Sequence, residues 1–328
     1  METLLLDPSD VTESASMGRV IDAVEGAFAA DARGDTEMPA KSYIDLPQHD
    51  GDFRSMPAYI DAGDWEAAGV KWVNSHPETP CRRALPPLIG TMVYPDPVTA
   101  LPLALRDGTT LTRLRTGAAA AVATRHLARV DATSLGLVGA GVQSYSQLEG
   151  VAQVRDIETV VVADRDAAAI AAFRERYGGA YEVREGTVDE AAACDVVSTT
   201  TPVREPIVTS VGEDTHLNAM GADAEGKHEV ADSVLEQATL VIDDYDQCTH
   251  SGEINVPWAE GVLDGEDIHA ELAEVVGGGA AGREADDGVT VFDSTGLAIQ
   301  DVAAAHVVYE QAREDGVGTD FALVGTDG

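Results

Sequence analysis

GLVGAGVQS (residues 136–144) decides the fold of this chain of 328 residues. Ser134–Val138 is a short apolar run of strand type, Gly139–Gly141 a tight turn, and Val142–Val154 a helical pattern. Gly139, Ala140, Gly141, Val142 and Gln143, with Ser144 in the third glycine's place, supply most of a dinucleotide fingerprint. The first glycine permits the turn, the second lets backbone approach a pyrophosphate, and the helix start offers N–H donors to that anion. Alone, the pattern is weak. Its surroundings strengthen it, because the next strand-like run, Thr159–Ala163, ends in Asp164, 23 residues beyond Gly141. An acid there accepts hydrogen bonds from the adenine ribose hydroxyls and repels a 2′-phosphate, which favours NAD; Arg165 beside it leaves NADP open. The bland alternative is a glycine turn in an α/β sheet with no ligand.

Outward from this turn, Asp166–Tyr177 reads as a helix, and Asp195–Thr199, His216–Met220 and Leu240–Ile242 read as strands. Strand alternating with helix predicts an α/β fold with a doubly wound, parallel Rossmann sheet. Thr199, closing its strand, joins the cofactor-binding candidates. Residues 114–129 are Ala-rich and helical in pattern, and 277–288 read as a mobile loop. Residues 1–113 differ: a helix over Met17–Ala32, then short β-prone pieces at Lys41–Leu46, Val70–Val73, Pro87–Val93 and Leu101–Ala104. They predict a second, α+β domain with an antiparallel sheet. A helix over Asp293–Glu310 crosses back to it. The expected division is 1–115 with 306–328 as a substrate and dimerisation domain, and 116–305 as the Rossmann domain.

Composition narrows the function. The formal net charge is −37 and the pI about 4.2, with 44% hydrophobic residues, so the chain is acidic yet able to fold. No basic stripe exists to meet phosphates, which excludes nucleic acid and anionic membrane as partners. Self-repulsion of this size is screened at about 1 M salt, where the Debye length is about 3 Å, so a salt-rich, halophilic cytoplasm is expected. Cys81, Cys194 and Cys248 are odd in number and widely spaced, and the histidines show no metal-binding spacing. No metal is expected. The chain shows neither a leader pattern nor an 18-residue apolar run.

Lysine is nearly absent: Lys41, Lys71 and Lys227 stand against eighteen arginines. An ammonium is a compact charge whose pKa moves on burial, whereas a guanidinium stays planar and protonated. Either the three are surface remnants or they serve one chemical site. Each falls inside a longer motif: MPAKSYIDL (38–46), VKWVNSHP (70–77) and NAMGADAEGKHEV (218–230). Further motifs are MPAY (56–59), LRTGAAAAVA (114–123), GLVGAGVQS (136–144) and DSTGLAIQDVAAA (293–305).

Together these motifs resemble the ornithine cyclodeaminase/mu-crystallin family, and within it the archaeal alanine dehydrogenases, over nearly the whole chain. The resemblance implies a homodimeric NAD-dependent enzyme acting on a small amino or keto acid. It implies that Lys71 and Arg115 bind the substrate carboxylate, that Lys41 also faces substrate, and that Thr116 meets cofactor phosphate. A planar fork suits a carboxylate bidentately. Asp223 is implied as the proton-transfer acid, with a loop turn or helix cap as its plain alternative. Lys227 is implied beside the nicotinamide, or else paired with Glu225 or Glu229, and Thr295 closes over the nicotinamide. Where the cyclodeaminases carry a glutamate for a distal amine, this chain has Arg54, which argues against ornithine if it faces the pocket rather than solvent. Asp293 and Asp301 read as structural caps, and His76 and His228 as structural histidines. The implied reaction is the reversible conversion of L-alanine to pyruvate and ammonia, with ornithine cyclodeaminase or cyclic ketimine reductase as alternatives.

Overall fold

The structure, a computed structural model, describes residues 2–49, 51–76, 85–86, 88–284 and 288–325. Pro77, Cys81, Pro87 and residues 285–287 of the expected mobile loop lie outside the described residues. The chain divides into two compact units, Met1–Arg115 with Leu297–Gly328, and Thr116–Gly296. The second boundary falls earlier than the expected 305/306. Ala298–Asp315 forms one continuous helix, and a rigid helix carries its first turns with the rest.

In the first unit, β1 (Thr3–Leu6), β2 (Thr36–Glu37), β3 (Ser42–Leu46), β4 (Gly51–Asp61), β5 (Glu66–Ser75), β6 (Leu88–Pro95) and β7 (Pro102–Asp107) share a sheet with Thr319–Phe321. The order runs from Thr319–Phe321 through β1, β7, β6, β5 and β4 to β2, with β3 also on β4. The sheet is antiparallel except where β1 lies parallel to β7. Burial alternates along β5, with Ala67, Gly69, Lys71 and Val73 inside and Trp72 exposed, as a pleat with one covered face requires. The helices Met17–Arg33 and Ala298–Asp315 cover that inner face. Val20, Ile21, Val24, Ala27 and Phe28 form the apolar stripe of the first, which ends at the left-handed Gly34.

In the second unit, β8 (Ser134–Val138), β9 (Thr159–Ala163), β10 (Glu182–Glu185), β11 (Val196–Thr199), β12 (His216–Ala219), β13 (Thr239–Ile242), β14 (Ile268–Glu271) and β15 (Thr290–Asp293) form one parallel sheet. Its order is β10-β9-β8-β11-β12-β15-β13-β14. Side chains of β9 alternate between two apolar clusters: Val160 and Val162 pack in one, Val161 and Ala163 in the other. Both faces are therefore covered, as a doubly wound sheet demands. Strand order reverses between β8 and β11, which puts the loops after them at the crevice where such sheets bind ligands. The helices Gly108–Leu127 and Val142–Val154 touch at Gly117 and Gly150. A Cβ on Gly117 would lie 2.2 Å from the Ser146 carbonyl oxygen, so only glycine permits this crossing.

Candidate active site

Lys71 sits on the covered face of β5 with 1% of its surface exposed. A buried ammonium needs partners, and Lys71 Nζ has them: Asp301 Oδ2 at 2.7 Å, Asp301 Oδ1 at 2.8 Å and Thr112 Oγ1 at 3.2 Å. Arg115 Nε lies 3.3 Å from the same Asp301 Oδ1, and its Nη1 donates to Gln300 Oε1 at 3.1 Å. Asp301 thus bridges the two cations, which corrects its reading as a helix cap. Burial lowers the Lys71 pKa to about 8; Asp301 opposes the fall, while Arg115 and Lys41 add to it.

Lys41, half-buried just ahead of β3, is therefore close enough to act on Lys71 electrostatically. Arg54 stands opposite Val73 in the β4–β5 register, on the same sheet face as Lys71, and its side chain is 12% exposed. The solvent-facing reading of Arg54 is set aside. It forms a two-pronged pair with Asp52, both contacts 3.0 Å, and its guanidinium lies 5.5 Å from the Tyr43 ring centre.

In the second unit, Gly139 has φ +106°, a conformation L side chains avoid, and a Cβ there would sit 2.9 Å from Thr200 Oγ1. The Ala140 N–H donates to Asp164 Oδ2 at 2.6 Å, so the acid at the end of β9 also pins the turn. Asp164 Oδ1 accepts from the Asp166 N–H at 2.8 Å. A carboxylate offers about four acceptor positions, which leaves capacity for ribose hydroxyls. Gly141 is open, with no atom within 4 Å of a built Cβ, and it starts the Val142–Val154 helix without a side-chain cap. Val142 is exposed, Gln143 half-buried and Arg165 exposed. The first-turn N–H groups there suit a phosphate. Thr116 is buried and its carbonyl accepts from Gln147 Nε2 at 3.4 Å; Thr199 is buried at the end of β11.

Asp223 lies in the loop after β12 and pairs with Lys227 rather than leaving Lys227 to Glu225 or Glu229. Thr295 Oγ1 donates to Asp243 Oδ1 at 3.3 Å.

The family model for the ornithine cyclodeaminase/mu-crystallin family matches residues 1–316. The chain belongs to that family. It is 45% identical to an alanine dehydrogenase of Archaeoglobus fulgidus over 97% of this chain and 98% of that protein. Among solved structures it resembles an archaeal alanine dehydrogenase dimer with bound NAD, at 43% identity, TM-score 0.93 and coverage of 99% and 100%. It also resembles the Thermococcus litoralis Δ1-pyrroline-2-carboxylate reductase in complex with NADH and L-proline, at 38% identity, TM-score 0.91 and coverage of 97% and 99%.

Within this family member, Asp243 of the second unit escaped sequence reasoning. Asp243 accepts from Ser294 Oγ at 2.9 Å and the Gly296 N–H at 2.8 Å, holding the turn that carries Thr295. Asp293 does cap backbone, taking the Glu253 N–H at 2.8 Å and the Ile254 N–H at 3.1 Å. The available signal was an acid inside an apolar motif, which burial obliges to find donors. His76 bonds Asn74 at 2.9 Å and packs on Phe53, and His228 lies 3.4 Å from Asp232. Among the described residues, no group of three or more His, Cys, Asp or Glu side chains is placed to hold a metal ion, and no helix is long and apolar enough to cross a membrane.

Proposed function

We propose that the chain is an NAD-dependent alanine dehydrogenase, converting L-alanine, NAD and water to pyruvate, ammonia and NADH, and back. The observation that carries this reading is the buried Lys71–Asp301–Arg115 group: two cations share one carboxylate, and a substrate carboxylate balances the remaining charge. Lys41, Lys71 and Arg115 neutralise the carboxylate and polarise the carbonyl or imine. Asp223 transfers the proton to and from the substrate amine or the attacking water. NAD supplies the hydride chemistry, held by Gly139, Ala140, Gly141, Val142, Gln143, Thr116, Thr199, Thr295 and Asp164. Lys227, paired with Asp223, orients that acid. The similarity to the Archaeoglobus alanine dehydrogenase supports the substrate.

Arg54 supports it independently, since its guanidinium, paired with Asp52 on the Lys71 face, is a like charge for a distal amine. Ornithine cyclodeamination or ketimine reduction is the second reading, favoured by relatives such as the Thermococcus reductase. A panel of amino and keto acids with NAD and with NADP in high salt separates them. Net NADH from alanine supports the dehydrogenase, and proline from ornithine without net NADH supports the cyclase.

The outer face of the first sheet exposes Ile44, Trp72 and Ile89, at 53%, 43% and 39%, with Phe53 stacked 5.5 Å from Trp72. An apolar face of this kind marks a protein interface, and it is the surface we assign to a homodimer. The −37 charge supports a salt-rich cytoplasm as the working environment.

A further inference from the structure

Glu229 is fully buried, and nothing in the reaction as proposed uses it. Its Oε1 accepts from the Thr201 N–H at 2.7 Å and the Thr201 Oγ1 hydroxyl at 2.6 Å. Thr201 belongs to the loop that follows β11, two residues beyond Thr199. The other carboxylate oxygen presses on the loop that follows β12: a Cβ built on Gly221 would lie 2.1 Å from Glu229 Oε2. Asp223 lies two residues after Gly221, and Lys227 two residues before Glu229. The segment carrying the Asp223–Lys227 pair is therefore tied at both ends to one buried carboxylate.

The tie has its own support. Glu253 Oε1 accepts the N–H groups of Glu229 and Val230, each at 2.7 Å, so the backbone that presents Glu229 is held as well. Glu229 Oε1 is answered by the hydroxyl and backbone donors of Thr201. Burial raises its pKa, and the hydrogen bonds from Thr201 oppose that rise. A buried acid of this kind costs stability unless its donors repay it, and a neutral packed residue would fill the space more cheaply. The return is geometric: two loops at the ligand-binding edge of the sheet are fixed relative to each other.

We infer that Glu229 is a positioning residue, which sets Asp223 for proton transfer by locking the loops after β11 and β12 together. This rests on the proposed role of Asp223. Misplacing a reacting group by about 1 Å costs up to about 10²-fold, so the turnover step is where Glu229 acts.

The test compares the parent enzyme with Glu229→Gln and Thr201→Val in high salt. Glutamine keeps the shape but turns one acceptor into a donor, and valine removes only the hydroxyl. Expected is a fall in kcat of roughly 10- to 100-fold for Glu229→Gln and roughly 3- to 10-fold for Thr201→Val. The alanine KM changes less than about threefold, because Lys71 and Arg115 belong to the other unit. A merely structural role lowers thermal stability and leaves kcat per folded molecule intact. Should Glu229→Gln fail to fold, Thr201→Val carries the test alone. If the parent shows no alanine turnover, the substrate assignment fails; kcat is then read on whichever panel substrate the parent turns over. Both variants folded with kcat within twofold of the parent would overturn the assignment.

Discussion

Lys71 Nζ and Asp301 Oδ2 lie 2.7 Å apart, 230 positions apart in sequence, and both side chains are almost wholly buried. Asp301 also serves Arg115, so this one carboxylate keeps two cations in place on the inner face of the sheet.

Replacing Asp301 by asparagine leaves both cations uncompensated. The expected loss is roughly 3–5 kcal/mol of stability, read by denaturant unfolding in high salt. The variant also shifts a titration. Asp301 holds the Lys71 pKa up against burial, at about 8. The parent kcat/KM for alanine therefore falls as pH rises through about 8, as the ammonium loses its proton, and in Asp301→Asn that fall moves to lower pH. A pH profile with the same alkaline limb in both enzymes would detach Lys71 from substrate binding.

Asp293 gives stability the opposite trend to an ordinary carboxylate. Burial raises it from 3.8 to about 7, so the folded state holds its proton more tightly than the unfolded chain does. Its contribution is fully present below pH 3.8 and is lost as pH rises through about 7. Between pH 5 and 8 the melting temperature at fixed high salt is expected to fall, and Asp293→Asn to flatten that slope. Identical slopes in the two proteins count against the assignment.

Arg54 is expected to govern side-chain selection. With Arg54→Glu a like charge becomes an opposite one for a diamino acid, and ornithine becomes a measurable ligand while alanine kcat/KM falls by about tenfold. Unchanged discrimination between alanine and ornithine would remove Arg54 from the pocket.

The charge of −37 sets the salt requirement. Dialysis from molar salt to about 0.05 M, where the Debye length exceeds 10 Å, is expected to abolish the folded circular-dichroism signal. A spectrum unchanged in dilute buffer refutes that expectation.

The Rossmann half was legible because its strands are β-branched runs separated by glycine turns, a local signal. The first sheet was harder. β4, GDFRSMPAYID, holds glycine, proline and several charges, and it is a strand because neighbours pair along both its edges. The lysines were singled out by their scarcity, and Lys71 lies in a buried group. Asp301 was read as a cap because an acid in the first turn of a helix has an ordinary local explanation in the dipole, while its actual partners are remote. The carboxylates Glu229 and Asp243 share that history: long-range donors define them, and no short motif displays those.

The most direct measurement is NADH absorbance after L-alanine and NAD are added to the purified protein in molar salt. Expected is net NADH with stoichiometric pyruvate and ammonia, and its near-complete loss in Asp223→Asn. Proline formed from ornithine with no net NADH, or equal alanine rates in the parent and Asp223→Asn, would contradict it.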